Sequence, residues 1–166
     1  MSPAQAADIL AILPRDEAGA ILKLIDRGKS SQVEHIIGEH NEQILLYASL
    51  ELIKLPASTP AAEVLERYRE LATGKNILTY VYVTDATGTL EGVVDLREIV
   101  IAEPGQTLGD IMTEHVIALP KDATLREAMM LFERYNFRAL PITDENDRLL
   151  GAVSSRDMRA LKPRLA

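Results

Sequence analysis

Hydrophobic positions in the first third of the chain recur at helical spacing, and the recurrence is repeatedly broken. Ile9 and Leu13 belong to a first apolar stripe that ends at Pro14, and further short stripes follow as far as Tyr47. Helices of two or three turns are not stable alone, so these segments must pack on one another or on the rest of the chain. The pattern therefore predicts a helical segment from residue 3 to about residue 48.

From about residue 47 the pattern changes to short strands and helices, and it is written twice. "VTDATGTLEGVVDLRE" starts at Val83 and "ITDENDRLLGAVSSRD" at Ile142, a constant spacing of 142 − 83 = 59. The preceding halves, which start at Ser49 and Thr113, keep a spacing of 113 − 49 = 64. The difference predicts an insertion of five residues in the first copy, in the connection around "LATGKNIL". The alternative is that two common α/β patterns resemble each other by chance, and it explains the two constant spacings less well.

Each copy reads as β-α-β-β-α. A short strand ends in Leu-Pro, and a polar turn starts a helix, with Pro60 expected in the first helical turn of the first copy. A strand, "TYVYV" or "ALPIT", then leads through a turn into "LEGVV" or "LLGAV", and a last helix begins near Asp95 or Ser154. The pattern predicts an α+β fold in which two copies, related by pseudo-twofold symmetry, bury their sheets against each other and form a cleft twice.

Composition narrows the classes of function. The 166 residues include no Cys, which excludes disulfides, thiol catalysis and thiolate zinc sites, and the net charge of −7 argues against nucleic acid as a partner. We see no signal-peptide pattern and no apolar run near the roughly 20 residues that span a bilayer, so we expect a cytoplasmic chain without direct membrane insertion. The histidines at 35, 40 and 115 lack metal-ligand spacing, and no P-loop, GxGxxG or GxSxG is present, so we do not expect an enzyme.

Several motifs resemble a known family. The Leu-Pro before a capped helix, "LPITDE" and "GAVSSRD" resemble a tandem CBS-domain pair (a Bateman module) over roughly residues 47–161. The strand "YVYV", the run "GVVDLREIVIA" and the linker "PGQTLGDIM" resemble, more specifically, the cytosolic region of the MgtE family of magnesium transporters. "AADILAILPRDEAGAILKLID" resembles the end of that family's helical N-domain, a small superhelix. The resemblance implies a truncated N-domain over residues 1–46, CBS repeat 1 over 47–108 and CBS repeat 2 over 109–166.

The resemblance also implies a function. The chain would be the cytosolic regulatory part of a divalent-cation transporter, a homodimer formed through the CBS helices. Binding of Mg²⁺ or an adenine nucleotide would shift this dimer between open and closed states and so gate a transmembrane pore domain. That pore domain is absent from this sequence, so the chain is either an excised part of a transporter or a relative without a pore. Two alternatives stay open, a stand-alone adenine-nucleotide sensor and a purely structural dimerisation module with an empty cleft.

A nucleotide site follows from the same resemblance. Aromatic rings would sandwich adenine, an acid at the start of the last helix would meet the ribose hydroxyls, and an arginine would meet phosphate. In the first copy Asp95 stands where a hydroxyl would serve phosphate, which weakens that role there. The candidate residues are Tyr80, Arg97, Glu98 and Phe137. Ser154 and Asp157, at the hydroxyl and acid positions of the second copy, are candidates as well.

For regulatory Mg²⁺ the resemblance implies carboxylates that face one another across domains. Asp157 stands at an acidic position of the family, and Asp16 and Glu17 are candidates from the helical segment. Four other positions depart from the acidic pattern, so we expect weak Mg²⁺ binding. The departures are Arg126, Asn136, Arg156 and Ala160.

Overall fold

The structure is a computed structural model that describes residue 21 and residues 43–165, with side chains through residue 160. Most of the predicted helical segment, including Asp16 and Glu17, lies outside the described residues. The elements in chain order are a 3-10 turn (Ile44–Tyr47), β1 (Leu52–Leu55), α1 (Ala61–Glu66), α2 (Tyr68–Ala72), β2 (Ile77–Thr84), β3 (Leu90–Asp95), α3 (Leu96–Ile101), α4 (Leu108–Ile111), β4 (Leu119–Pro120), α5 (Leu125–Tyr135), β5 (Ala139–Thr143), β6 (Leu149–Ser154) and α6 (Ser155–Leu165).

The strands form two sheets with the same topology. In each sheet the first strand pairs parallel with the second, and the second pairs antiparallel with the third, in the orders β1-β2-β3 and β4-β5-β6. The register repeats as well, since Tyr80 lies opposite Asp95 and Ala139 lies opposite Ser154. The predicted α+β architecture of two β-α-β-β-α repeats is confirmed.

The first repeat departs from the prediction at its insertion. Its first helix is divided at Arg67 into α1 and α2, whereas α5 of the second repeat is one continuous helix. β2 begins at Ile77, two residues before the predicted strand, because the backbone N–H groups of Asn76 and Ile77 donate to the carbonyl of Glu51 (2.9 and 3.4 Å). The inserted residues are therefore held against the chain just before β1.

Pro60 precedes α1 rather than lying in its first turn, so that expectation is wrong by one residue. Its backbone is extended (φ −63°, ψ 134°) and it forms a bridge to Thr107. Two hydrogen bonds fix this geometry, from Ala61 N to the Gln106 carbonyl and from Leu108 N to the Thr59 carbonyl, both 2.9 Å. The extended backbone at Pro60 therefore serves pairing with the linker between the repeats.

Each repeat receives a segment from just before the other repeat. We call residues 43–49 and 107–113 the lead-in segments. Ile44, before β1, is fully buried in the core of the second repeat, and Leu108, before β4, is fully buried in the core of the first. Ser49 exchanges backbone hydrogen bonds with Ala152 of β6 (2.8 and 3.0 Å), as Thr113 does with Val93 of β3 (2.9 and 3.1 Å). The lead-in segments thus cross between the repeats in a symmetric way.

A third apolar cluster lies between the two sheets and joins the repeats. Its buried members are aliphatic except for Tyr82, in a sequence that has no Trp and only two Phe. They are Leu52, Ile77, Tyr82, Ala139 and Ala152. Within the part of the chain that the structure describes, no helix combines the length and the apolar character needed to cross a bilayer.

Candidate ligand-binding cleft

A cavity of about 420 Å³ opens between the two repeats. The first repeat contributes side chains from β2, β3 and the start of α3, and the second contributes residues 113, 115–117, 137 and 139–141. The wall includes the buried residues Ala139, Leu140 and Pro141, whereas Arg97 and His115 on the rim are exposed. A cavity with an apolar wall and a charged rim suits a ligand that has a planar apolar part and a charged part.

Two aromatic residues face this cavity from opposite repeats. Tyr80 of β2 is half-buried, and its hydroxyl oxygen accepts a long hydrogen bond from the backbone N–H of Arg138 (3.5 Å). Phe137 precedes β5 and stacks on Tyr135, with 5.4 Å between ring centroids and 22° between planes. The structure therefore brings the predicted aromatic pair to one cavity, and Tyr135 supports the Phe137 ring.

The Arg-acid pair of the first repeat lies at the start of α3. Asp95 is the N-cap, and its Oδ1 accepts a hydrogen bond from Arg97 N (2.9 Å), while Glu98 Oε2 accepts from Asp95 N (2.8 Å). This reciprocal capping box satisfies two backbone donors at the helix terminus. The Arg97 guanidinium also donates to the Asp95 carboxylate (3.2 and 3.3 Å). Asp95 therefore holds Arg97 at the rim of the cavity, a role that the sequence alone did not indicate.

Asp95 is expected to make the stability of the protein sensitive to acid. Burial raises the pKa of Asp95, but hydrogen bonds from Arg97 and the charges of Arg97 and Arg138 outweigh it, so the pKa lies below its ordinary value of 3.8. A carboxyl with a depressed folded-state pKa stabilises the fold above its unfolded pKa and loses that contribution as the pH falls through the folded value.

Asp95→Asn, which keeps a good N-cap residue, should accordingly flatten the dependence on pH below about pH 4. Urea unfolding of both proteins between pH 6 and pH 3 measures this difference. Parallel pH profiles would contradict the role of the Asp95 carboxylate.

Ser154 and Asp157 do not line this cavity. They start α6 in the second repeat, where Ser154 Oγ donates to Asp157 Oδ2 (2.7 Å) and Asp157 N donates to Ser154 Oγ (3.1 Å). They are the counterparts of Asp95 and Glu98, 59 positions further along the chain. The structure therefore brings together four of the six candidate nucleotide residues, and the other two occupy the corresponding positions of the second repeat.

The positions that the repeat relates to the cavity residues have different chemistry. Ala139 stands in place of Tyr80, and Leu78 stands in place of Phe137, so these two positions carry no aromatic residue. In the first repeat, Ser49 and Glu51 correspond to Thr113 and His115 of the cavity. Both are contacted by side chains of the insertion. Asn76 Nδ2 donates to Ser49 Oγ (3.1 Å), and Lys75 Nζ lies 3.6 Å from Glu51 Oε2. The two repeats are therefore unequal at these positions.

Three cavity residues with polar side chains were missed by reasoning from the sequence. Thr113 and His115 follow the linker, and their place on the rim results from the crossing of the lead-in segments, which no local pattern shows. Tyr82 has a signal in the sequence, because residues two apart on a strand face the same way and Tyr80 was already a candidate.

No metal site is evident in the described part of the chain. Groups of three or more His, Cys, Asp or Glu side chains that could hold an ion are absent from those residues, and Asp157 is exposed. Asn136 ends α5 in the left-handed conformation (φ 53°, ψ 32°), which Asn adopts readily. This gives a structural reason for Asn where the family pattern has Asp. A Mg²⁺ site formed by Asp157 with Asp16 and Glu17 stays a prediction.

Comparison with known proteins shows which family has this architecture. The CBS domain family matches residues 47–105 and 108–163. The magnesium transporter MgtE of Thermus thermophilus is 29% identical over 135 residues, which cover 81% of this chain and 30% of the transporter. The chain thus spans less than a third of the length of this relative.

Solved structures agree with the sequence comparison. A crystal structure of the soluble part of a magnesium transporter has a TM-score of 0.72 at 23% identity and covers 100% of this chain and 65% of that one. A crystal structure of the cytosolic domain of the Mg²⁺ channel MgtE in complex with ATP has a TM-score of 0.70 at 26% identity, with coverage of 97% and 66%. The predicted resemblance to a CBS pair and to the cytosolic region of MgtE is confirmed.

Proposed function

Because the chain belongs to the CBS-domain family, we propose that it is a regulatory module that binds one adenine nucleotide in the cavity between its repeats. The observation that carries the proposal is the convergence of Tyr80, Arg97, Glu98 and Phe137 on one cavity of about 420 Å³. Small-molecule sites in proteins span roughly 300–1,000 Å³. The complex of the cytosolic domain of MgtE with ATP supports the same ligand class.

The side chains suit the parts of a nucleotide. Tyr80 and Phe137 offer ring faces to the base from opposite repeats. Glu98 uses Oε2 for the backbone of Asp95, and its other oxygen is left to accept hydrogen bonds from ribose hydroxyls. Arg97 directs two of its five N–H donors to Asp95 and keeps others for a phosphate at the exposed rim.

Occupancy of the cavity would act on conformation. The cavity is built from both repeats, so a ligand that contacts both favours the arrangement of the repeats that fits it. We extend the proposal to a homodimer on the cytosolic side of the membrane, in which this shift reaches the pore domain of an MgtE-like divalent-cation transporter. Exposed apolar side chains on the helices support the dimer, namely Val100 and Ile101 of α3 and Met130 of α5.

Two other functions would use the same fold. A stand-alone nucleotide sensor would act on a separate partner, and a structural dimerisation module would leave the cavity empty. A coding sequence that continues into apolar membrane spans would favour the transporter over the stand-alone sensor. Mg²⁺ held weakly by Asp157 with Asp16 and Glu17 would act on the same equilibrium between open and closed states. We propose no catalytic step.

Calorimetric titration with ATP, ADP, AMP and Mg²⁺ tests the proposal. We expect one nucleotide to bind per chain, and Arg97→Ala to weaken ATP binding about tenfold or more, because a hydrogen bond to a charged group is lost. Arg67→Ala is the matched control, because Arg67 is an exposed arginine that pairs with Glu63 (3.0 Å) and Glu70 (3.4 Å) and does not line the cavity. Absence of heat from all three nucleotides at millimolar concentration would refute nucleotide binding and leave the structural module.

A further inference from the structure

Tyr82 places a hydroxyl group where the fold makes no use of it. The residue lines the cavity, is 0% exposed, and lies in the apolar cluster between the sheets. Its hydroxyl oxygen is buried and has no hydrogen-bond partner among the described residues. Of the buried side chains that line the cavity, those of Ala139, Leu140 and Pro141 are apolar, and that of Tyr82 alone carries a polar atom.

An unpaired buried hydroxyl destabilises the empty protein, because it has lost its hydrogen bonds to water without replacement. Phenylalanine would supply the same ring without this cost. The hydroxyl also stays protonated, since burial first and the neighbouring Tyr80 second raise the pKa of Tyr82 above its ordinary value. A neutral phenol that can both donate and accept is thus kept beside the cavity.

The strand limits which part of Tyr82 can adjust to a ligand. β2 is the central strand of its sheet, and Tyr82 pairs with Lys54 of β1 on one side and Val93 of β3 on the other. The backbone is therefore held on both sides, and a change at this residue is confined to the side chain. A small change in χ1, which swings the ring together with its hydroxyl, is the movement that brings the hydroxyl to a group in the cavity.

We infer that Tyr82 is a specificity-determining residue whose hydroxyl hydrogen-bonds the polar edge of the base that enters the cleft. The inference rests on the proposed nucleotide binding and adds the selection of the base to it. A planar ligand without a hydrogen-bonding edge would leave the hydroxyl unpaired. A site with a buried polar group rejects such a ligand more strongly than an apolar pocket does.

The test compares Tyr82→Phe with Tyr68→Phe. The Tyr68 hydroxyl donates to the carbonyl of Leu78, and Tyr68 does not line the cavity. Tyr68→Phe therefore removes a hydroxyl that the fold uses, and Tyr82→Phe removes one that it does not use. We expect Tyr82→Phe to weaken AMP binding about tenfold in calorimetry without lowering the melting temperature of the empty protein. Tyr68→Phe should lower the melting temperature and leave the affinity for AMP unchanged.

The outcomes separate this inference from the proposed function. If wild type and Tyr82→Phe bind AMP equally, the inference is overturned while nucleotide binding stands, and the hydroxyl is merely buried or paired with an internal water. If wild type binds none of AMP, ADP and ATP, the proposed function fails and the inference fails with it. Should Tyr82→Phe not fold, ring-labelled wild-type protein decides, because the Cζ resonance of Tyr82 must shift at saturating AMP, and an unchanged resonance overturns the inference.

Discussion

Leu119→Ala is expected to lower the free energy of unfolding by about 3 kcal/mol, the largest stability effect that we predict, within the range measured for buried Leu→Ala changes. Leu119 is 2% exposed and forms half of the two-residue strand β4. It packs in the core of the second repeat with Ile44, Leu140 and Ile142. The truncation removes apolar contacts and leaves a cavity that the surrounding β-structure fills only in part.

Leu55→Ala is the matched control for this prediction. Leu55 is the counterpart of Leu119 in the first repeat, but it is only half-buried, so we expect about half of the loss of stability. Urea unfolding followed by circular dichroism measures both variants. A larger loss for Leu55→Ala than for Leu119→Ala would show that β4 is not packed as described.

Gly151→Ala is expected to lower the free energy of unfolding by about 2 kcal/mol, because it disturbs the crossing of the first lead-in segment. A Cβ at residue 151 would lie 2.9 Å from the carbonyl oxygen of Ser49 and 3.3 Å from Ala48 Cβ. Ser49 is held there by two hydrogen bonds to Ala152, so the new methyl group must displace backbone. We also expect faster proteolysis around residues 43–50 in this variant.

Gly92→Ala offers the pseudo-symmetric comparison. A Cβ at residue 92 would meet the side chain of Met112, at 2.5 Å from Sδ and 2.8 Å from Cγ. A methionine side chain has several rotatable bonds and can move aside, although its own Cβ, at 3.0 Å, can do so less easily. The loss of stability should therefore be about half of that for Gly151→Ala. A larger loss for Gly92→Ala would contradict the view that a backbone atom limits space at Gly151 and a flexible side chain does so at Gly92.

The duplication made most of the fold predictable. Once the spacings of 59 and 64 were seen, one copy checked the other, and "ALPIT" was assigned to residues 139–143, where β5 lies. The position of Asp95 in the repeat predicted that a helix starts near it. The structure adds the capping box with Asp95, which gives a reason for an acidic residue at position 98. Local patterns sufficed here because capping and strand alternation depend on residues that are close in sequence.

The residues of the candidate site could be predicted less well from local sequence patterns. Tyr80 and Phe137 were named through resemblance to a family, since nothing in the spacing of one repeat shows that a ring from the other repeat faces it. The contacts of Lys75 and Asn76 with the chain before β1 join residues that are distant in sequence. The spare hydroxyl of Tyr82 is a property of its surroundings, which only packing reveals.

The crossing of the lead-in segments also constrains the order in which the chain can fold during synthesis. Thr113 meets Val93 soon after both have left the ribosome, so the first sheet gains its extra pairing early. Ser49 must wait for Ala152, which is made near the end of the described chain, and Ile44 waits for the same late core. During synthesis residues 43–49 therefore lack these partners until β6 is made, and closing that long-range contact is a slow step.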